Sequence, residues 1–280
     1  MNIQVAEKFI LRAIRRIKAE YLFDEDLHEK KIDQILQLER VFAYELYYQL
    51  SKIVDGYKSK LKDEYHLDHK IRVNGEISKY IWDKVTYPDL VIHGGQNNTE
   101  NQLIVCEIKR FNKNYPSSEL LISDFYKLYE YLNLEIGGKR ENFQKALFIA
   151  LNSDVIRLKK TIKNLLKDIE CIKSFMNELL DTIQSKGELN KLLKNKILNN
   201  FIILKKKLLK KENKKDFEPY IKDYIEKINK INLLFNKYSK KVLCVCVTTA
   251  PAIERKGKMY VNVEVISLNK IKKELKVNSS

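Results

Sequence analysis

Tyr87-Pro88-Asp89-Leu90-Val91-Ile92 and Val105-Cys106-Glu107-Ile108-Lys109 decide the reading of this chain. Each is a short apolar run with charge at one end, the pattern of a strand buried on both faces. A carboxylate in such a strand is costly unless it is paired or bound to a metal. Seventeen residues separate Asp89 from Glu107. Glu107 and Lys109 lie two apart, so they project from one strand face, which Leu103 and Val105 are expected to share. If the two strands pair through the polar loop between them, Asp89 comes close to both. Two carboxylates and a lysine at one point suit Mg2+ and the activation of water against a phosphate. Charged residues alternating on a solvent-facing strand would write the same letters.

Outward from these strands the period changes. Asn2 to Tyr21 and Leu27 to Val54 carry helical apolar spacing, and Gly56 stops the second helix. Tyr65 to Val73 alternates and ends at the turn signal Asn74-Gly75. Trp82 to His93, Leu103 to Lys109 and Lys145 to Asn152 read as strands, with a helix at Leu120 to Leu132. From Ser153 to Lys240 there is almost no β signal. Three amphipathic stripes repeat there, broken near Gly187 and near Asn213 to Pro219, and a hairpin or small bundle would bury them. Strands return at Lys241 to Thr249 and Tyr260 to Leu268, joined across Pro251 to Lys258. The reading is therefore an α/β core with a mixed central sheet flanked by helices and a long α-helical insertion. Its parts are N-terminal helices over 1–56, a core over 57–152, the insertion over 153–240, and terminal strands over 241–280.

The 280 residues are 44% hydrophobic and 32% charged, enough for a sizeable core. No apolar run is long enough to cross a membrane, and no signal peptide is read at the start. The net charge of +16 favours a polyanionic partner. Biased composition rich in Lys, Asn and Ile would also produce it. Residues 152–240 hold 22 Lys and Arg against 11 Asp and Glu, so most of the excess lies in the insertion. Cys106, Cys171, Cys244 and Cys246 form no disulfide framework and no zinc spacing. They read as buried thiols of a reducing compartment, the cytoplasm.

A phosphodiester resists attack because its charge repels the nucleophile, so hydrolysis calls for a divalent metal and an aimed base or cation. Mg2+ takes oxygen ligands and often only one or two carboxylates. Asp89 and Glu107 meet that need, and the carbonyl of Ile108 is a third candidate ligand. Lys109 is placed to orient or deprotonate the water, or to stabilise the transition state.

Pro88-Asp89 with Glu107-Ile108-Lys109 resembles the signature of the PD-(D/E)xK nuclease superfamily, whose core is the restriction-endonuclease-like fold. Glu39-Arg40 with Leu46 and Leu50 resembles the first-helix motif of a bacterial and phage group of this type. Glu64-Tyr65-His66 resembles its next strand, and Asp124-Phe125-Tyr126-Lys127-Leu128 its following helix. The resemblance spans residues 38–152. It implies a Mg2+-dependent DNA endonuclease, with Mn2+ as a substitute and RNA still open as substrate, in phage defence or mobile-element biology. It implies metal binding by Asp89 and Glu107, catalysis by Lys109, and Glu39 as the first-helix acid. Glu45 is a weaker substitute for Glu39, and His93 reads as structural. Asp124 and Lys127, one turn apart on a helix flanking the site, are candidates for contact with nucleic acid or Glu107, or form a local ion pair. Lys205, Lys206, Lys207, Lys210 and Lys211, with Lys214 and Lys215 beyond, are candidate nucleic-acid contacts. A solvated lysine-rich face is the plain alternative, and a homodimer arm a further one. The rival functions are a non-cleaving DNA-binding subunit and an assembly protein built on the insertion.

Overall fold

The computed structural model describes residues 3–22, 32–60, 71–75, 88–94, 102–111, 117–133, 135–136, 139–140, 142–184, 201, 217–255 and 257–277. In chain order the elements are α1 (Ile3–Ile14), α2 (Ile32–Lys60), β1 (Ile71–Gly75), β2 (Leu90–Gly94), β3 (Gln102–Arg110) and α3 (Ser118–Leu132). A two-stranded ribbon of β4 (Glu135–Ile136) and β5 (Lys139–Arg140) precedes β6 (Lys145–Leu151). Then come α4 (Val155–Gln184), α5 (Phe217–Leu233), β7 (Val242–Arg255), β8 (Lys258–Ser267) and α6 (Leu268–Val277).

Six strands form one mixed sheet in the order β1-β2-β3-β6-β7-β8. The pairs β3–β6 and β6–β7 are parallel; the other neighbours are antiparallel. Each parallel pair is joined by a helical crossover, which is what parallel pairing requires. The first crossover contains α3, and the second contains α4 and α5.

Strand β6 shows why the sheet is sandwiched. Leu147, Ile149 and Leu151 point to the layer of α1 and α2, where they meet Ile10, Ile14, Phe42 and Leu46. Ala146, Phe148 and Ala150 point to the opposite layer, among Phe125, Leu158, Ile162 and Ile228. Strict alternation with both sets apolar is the signature of a central strand buried on both faces. The buried residues of α4 and α5 belong to the same apolar layer as those of α3 and α6. Phe125 ties that layer together, stacking on Phe148 at 5.0 Å and lying 5.4 Å from Phe235.

Several expected boundaries move. The first helix ends at Ile14, with a short 3-10 turn at Ala19–Tyr21. Pro219 lies inside α5, in its first turn, where a missing N–H costs nothing. β7 runs past Pro251 to Arg255, and its ladder with β8 shifts register between Thr248 and Ile253 to take the proline. The turn includes Gly257, whose φ is +71°. The chain after Ser267 is helical: Leu268 and Ile271 bury one face of α6 against the α3 layer. Leu103 does not share the face of Val105; it joins the α1–α2 layer, because a β-bulge at Ile92/His93 shifts the register there. Cys171 is exposed, unlike the other three cysteines. Among the described residues no helix is long and apolar enough to cross a membrane. The strand expected from Tyr65 is seen only from Ile71, and that from Trp82 only from Leu90. Residues 61–70 and 76–87, with Glu64-Tyr65-His66, lie outside the described residues.

Candidate functional site

The site forms where β2 begins and β3 runs on. Leu90 pairs with Cys106, so β2 supplies no backbone acceptor for the next two N–H groups on that edge of β3. Carboxylates take their place. Asp89 Oδ2 accepts from the Ile108 N–H at 2.6 Å, and Glu39 Oε1, reaching from α2, accepts from the Arg110 N–H at 2.8 Å. The Asp89 N–H itself donates to the Cys106 carbonyl at 3.2 Å. Backbone groups buried without partners are rare, so the strand end explains why two acids gather there.

From the other side α3 delivers Asp124 and Lys127, one turn apart on one face. Ser117 caps that helix, accepting from the Leu120 N–H, and Leu121, Phe125 and Leu128 seat it on the sheet. Lys127 Nζ lies 2.9 Å from Glu107 Oε2 and 3.9 Å from Asp124 Oδ1. Lys109 Nζ lies 3.4 Å from Asp124 Oδ2 and 3.6 Å from Glu39 Oε2. The contacts form a chain of alternating charge: Glu39, Lys109, Asp124, Lys127, Glu107. Asp89 stands beside it, just before β2 and bonded to the Ile108 N–H of β3.

The cluster is sheltered. Glu107 is 2% exposed and Asp124 7%. Burial, then the neighbouring Asp89, pushes the Glu107 carboxyl well above its ordinary range. Burial pushes Asp89 up to about 6, and raises Glu39 and Asp124 as well. Burial draws Lys109 down, but Asp124 and Glu39 outweigh it, so Lys109 holds its proton more tightly than a free lysine. Lys127 is likewise raised, by Glu107 and Asp124 against burial. Four carboxylates face two ammonium groups. With all six ionised, two negative charges stand uncompensated in a partly desolvated space.

One atom sharpens the picture. Glu107 Oε1 is buried and has no hydrogen-bond partner. Leaving a buried carboxylate oxygen unsatisfied costs about 1–3 kcal/mol or more. A divalent cation would satisfy it. Among the described residues no three or more His, Cys, Asp or Glu side chains are arranged to hold a metal. Asp89 and Glu107 are the two acidic side chains here that could hold one. The Ile108 carbonyl adds a third oxygen, since in an extended strand it points to the same side as the Ile108 N–H that meets Asp89. Such a set fits Mg2+, which completes its shell with water and substrate oxygens.

Thus Asp89, Glu107, Lys109 and Glu39 come together as the sequence led one to expect. Glu45 does not join them; it accepts from Gln49 at 2.7 Å along α2. His93 is buried at the far end of β2, about 13 Å along the strand from Asp89. Of the contacts the sequence left open for Lys127, the structure shows those to Glu107 and, more loosely, to Asp124. Asp124 bridges both lysines, a role the sequence signalled only as an Asp-x-x-Lys spacing. Lys205, Lys206, Lys207, Lys210, Lys211, Lys214 and Lys215 lie outside the described residues. Comparisons with protein-family models, curated proteins and solved structures found no match, so the site is read from its own chemistry.

Proposed function

We propose that this chain is a Mg2+-dependent nuclease that hydrolyses phosphodiester bonds in DNA. The carrying observation is the Glu107 carboxylate, buried with one oxygen unpartnered, among four acids that outnumber their two lysines. Asp89, Glu107 and the Ile108 carbonyl would hold the metal. When bound, the metal supplies positive charge against the phosphate and acidifies a water. Lys109 keeps its proton here, which supports a role as a fixed cation toward charge building on the phosphate rather than as the base. Glu39 and Asp124 position that ammonium from two sides. Lys127 must give up Glu107, at least in part, before a cation can use both carboxylate oxygens. The +16 charge of the chain supports a polyanionic substrate.

A second reading is a non-cleaving DNA-binding subunit. It is favoured by the ion pairing of both lysines and by the lack of a three-residue ligand group among the described residues. The experiment incubates the protein with plasmid, linear duplex, single-stranded DNA and RNA in Mg2+, Mn2+ or EDTA, beside Glu107→Ala and Lys109→Ala. Metal-dependent cutting lost in both variants supports the nuclease. Cutting that survives in both removes this site from the reaction, and no cutting of any substrate favours the binding subunit.

A further inference from the structure

A concave site lies within the helical layer, between α4, the end of α5 with the turn after it, and α6. Its volume is about 400 Å³, within the range of small-molecule sites. Leu166 and Phe235 are among its apolar lining. Lys163 and Lys167 stand on one face of α4 and Lys272 faces them from α6, with Glu170 as the one acid. The cavity therefore carries a net +2. Lysines four apart on a helix repel one another, so this wall is improved by an anion between them.

The opposite wall is preformed. After Leu233 the helix widens into a π turn, Leu234–Tyr238, although no proline or glycine forces it. Such turns are frequent at functional sites. Here the turn carries two lining residues. Phe235 is pinned from behind by Phe125, and Asn236 Oδ1 accepts from Lys272 Nζ at 2.8 Å, which holds that ammonium over the cavity wall. A wall already ordered loses little entropy when a ligand arrives.

We infer that this cavity binds a small organic anion of mononucleotide size, its charged group among Lys163, Lys167 and Lys272 and its ring or apolar body on Leu166 and Leu275, over the buried Phe235. The inference is independent of the nuclease reading. An extended polyanion is a poorer occupant, because the cavity is a bounded concavity with an apolar floor rather than a basic track.

The test is calorimetric titration of the full chain in EDTA with adenosine 5′-monophosphate, phenyl phosphate, inorganic phosphate and adenosine. At least one of the two organic phosphates is expected to bind tenfold or more tightly than both inorganic phosphate and adenosine. Lys167→Glu, a change at an exposed position, should weaken it at least tenfold with an unchanged melting temperature. Leu166→Ala should weaken the organic phosphate but not inorganic phosphate. No heat from either organic phosphate at millimolar concentration would overturn the inference. So would binding no tighter than inorganic phosphate, or binding untouched by Lys167→Glu.

Discussion

Replacing Asp89 by Asn removes a charge but keeps an oxygen that can accept from the Ile108 N–H, so it isolates the electrostatic cost of the cluster. Burial raises Asp89 from 3.8 to about 6. A carboxyl raised in this way binds its proton more tightly in the folded state than in the unfolded chain. Stability therefore falls as pH rises from about 4 to about 6, and the penalty is complete above that window. At roughly 1.4 kcal/mol per pKa unit the penalty is about 3 kcal/mol. For a chain of this size that is about 6 °C in melting temperature. In EDTA, Asp89→Asn should melt near wild type at pH 4 and well above it at pH 7.5. Thermal melts followed by circular dichroism across that range give the gap directly. A gap constant to within a degree, or one that closes as pH rises, would refute the argument that Asp89 is a strained anion. Adding Mg2+ at pH 7.5 should lift wild type and close the gap, because a ligand bound only by the folded state stabilises it.

Lys127→Gln should lower the Mg2+ concentration needed for half of the wild-type rise in melting temperature, by about tenfold, since it removes the cation that competes for Glu107; an unchanged midpoint would sink the competition. Phe148→Ala should cost about 3–5 kcal/mol in urea unfolding, because Phe148 is fully buried and stacked on Phe125. A loss below 1 kcal/mol would mean the α3 layer repacks freely. Neutralising Lys205, Lys206, Lys207, Lys210 and Lys211 should weaken DNA binding and flatten its dependence on salt by roughly one unit of slope per lost phosphate contact, and a parallel salt line would leave them a solvated face.

The meeting of Asp89 with Glu107 was legible because both sit on short apolar strands whose pairing leaves little freedom. Lys109 followed from the two-residue period. Glu39 needed a motif, since nothing local says that α2 will reach the end of β3. Lys127 stayed open between nucleic acid, Glu107 and Asp124 for a different reason. Whether a helix lysine points to solvent or to a strand acid depends on how Phe125 and Leu128 seat the helix, and that is a tertiary outcome. α6 was missed because Leu268 and Ile271 are few among lysines, and the preceding β8 pattern ran into them without a break. The shift of Leu103 to the other face came from a single bulge, which inverts the alternation that a strand reading relies on.

The placement of α4 and α5 between β6 and β7 also bears on how the chain folds. Ala146 pairs with Val242, 96 residues later, whereas Val245 and Val265 of the terminal hairpin are 20 apart. Closing a flexible loop of the longer span costs about 4 kcal/mol of chain entropy before any contact repays it. Helix formation in α4 and α5 shortens the effective loop, so those helices should order before β7 docks on β6. The last step would be the joining of the two halves of the sheet, with the acid cluster already assembled in the first half. Sequence-distant pairing of this kind slows folding, and a chain whose crossover is shortened outside α4 and α5 should refold faster.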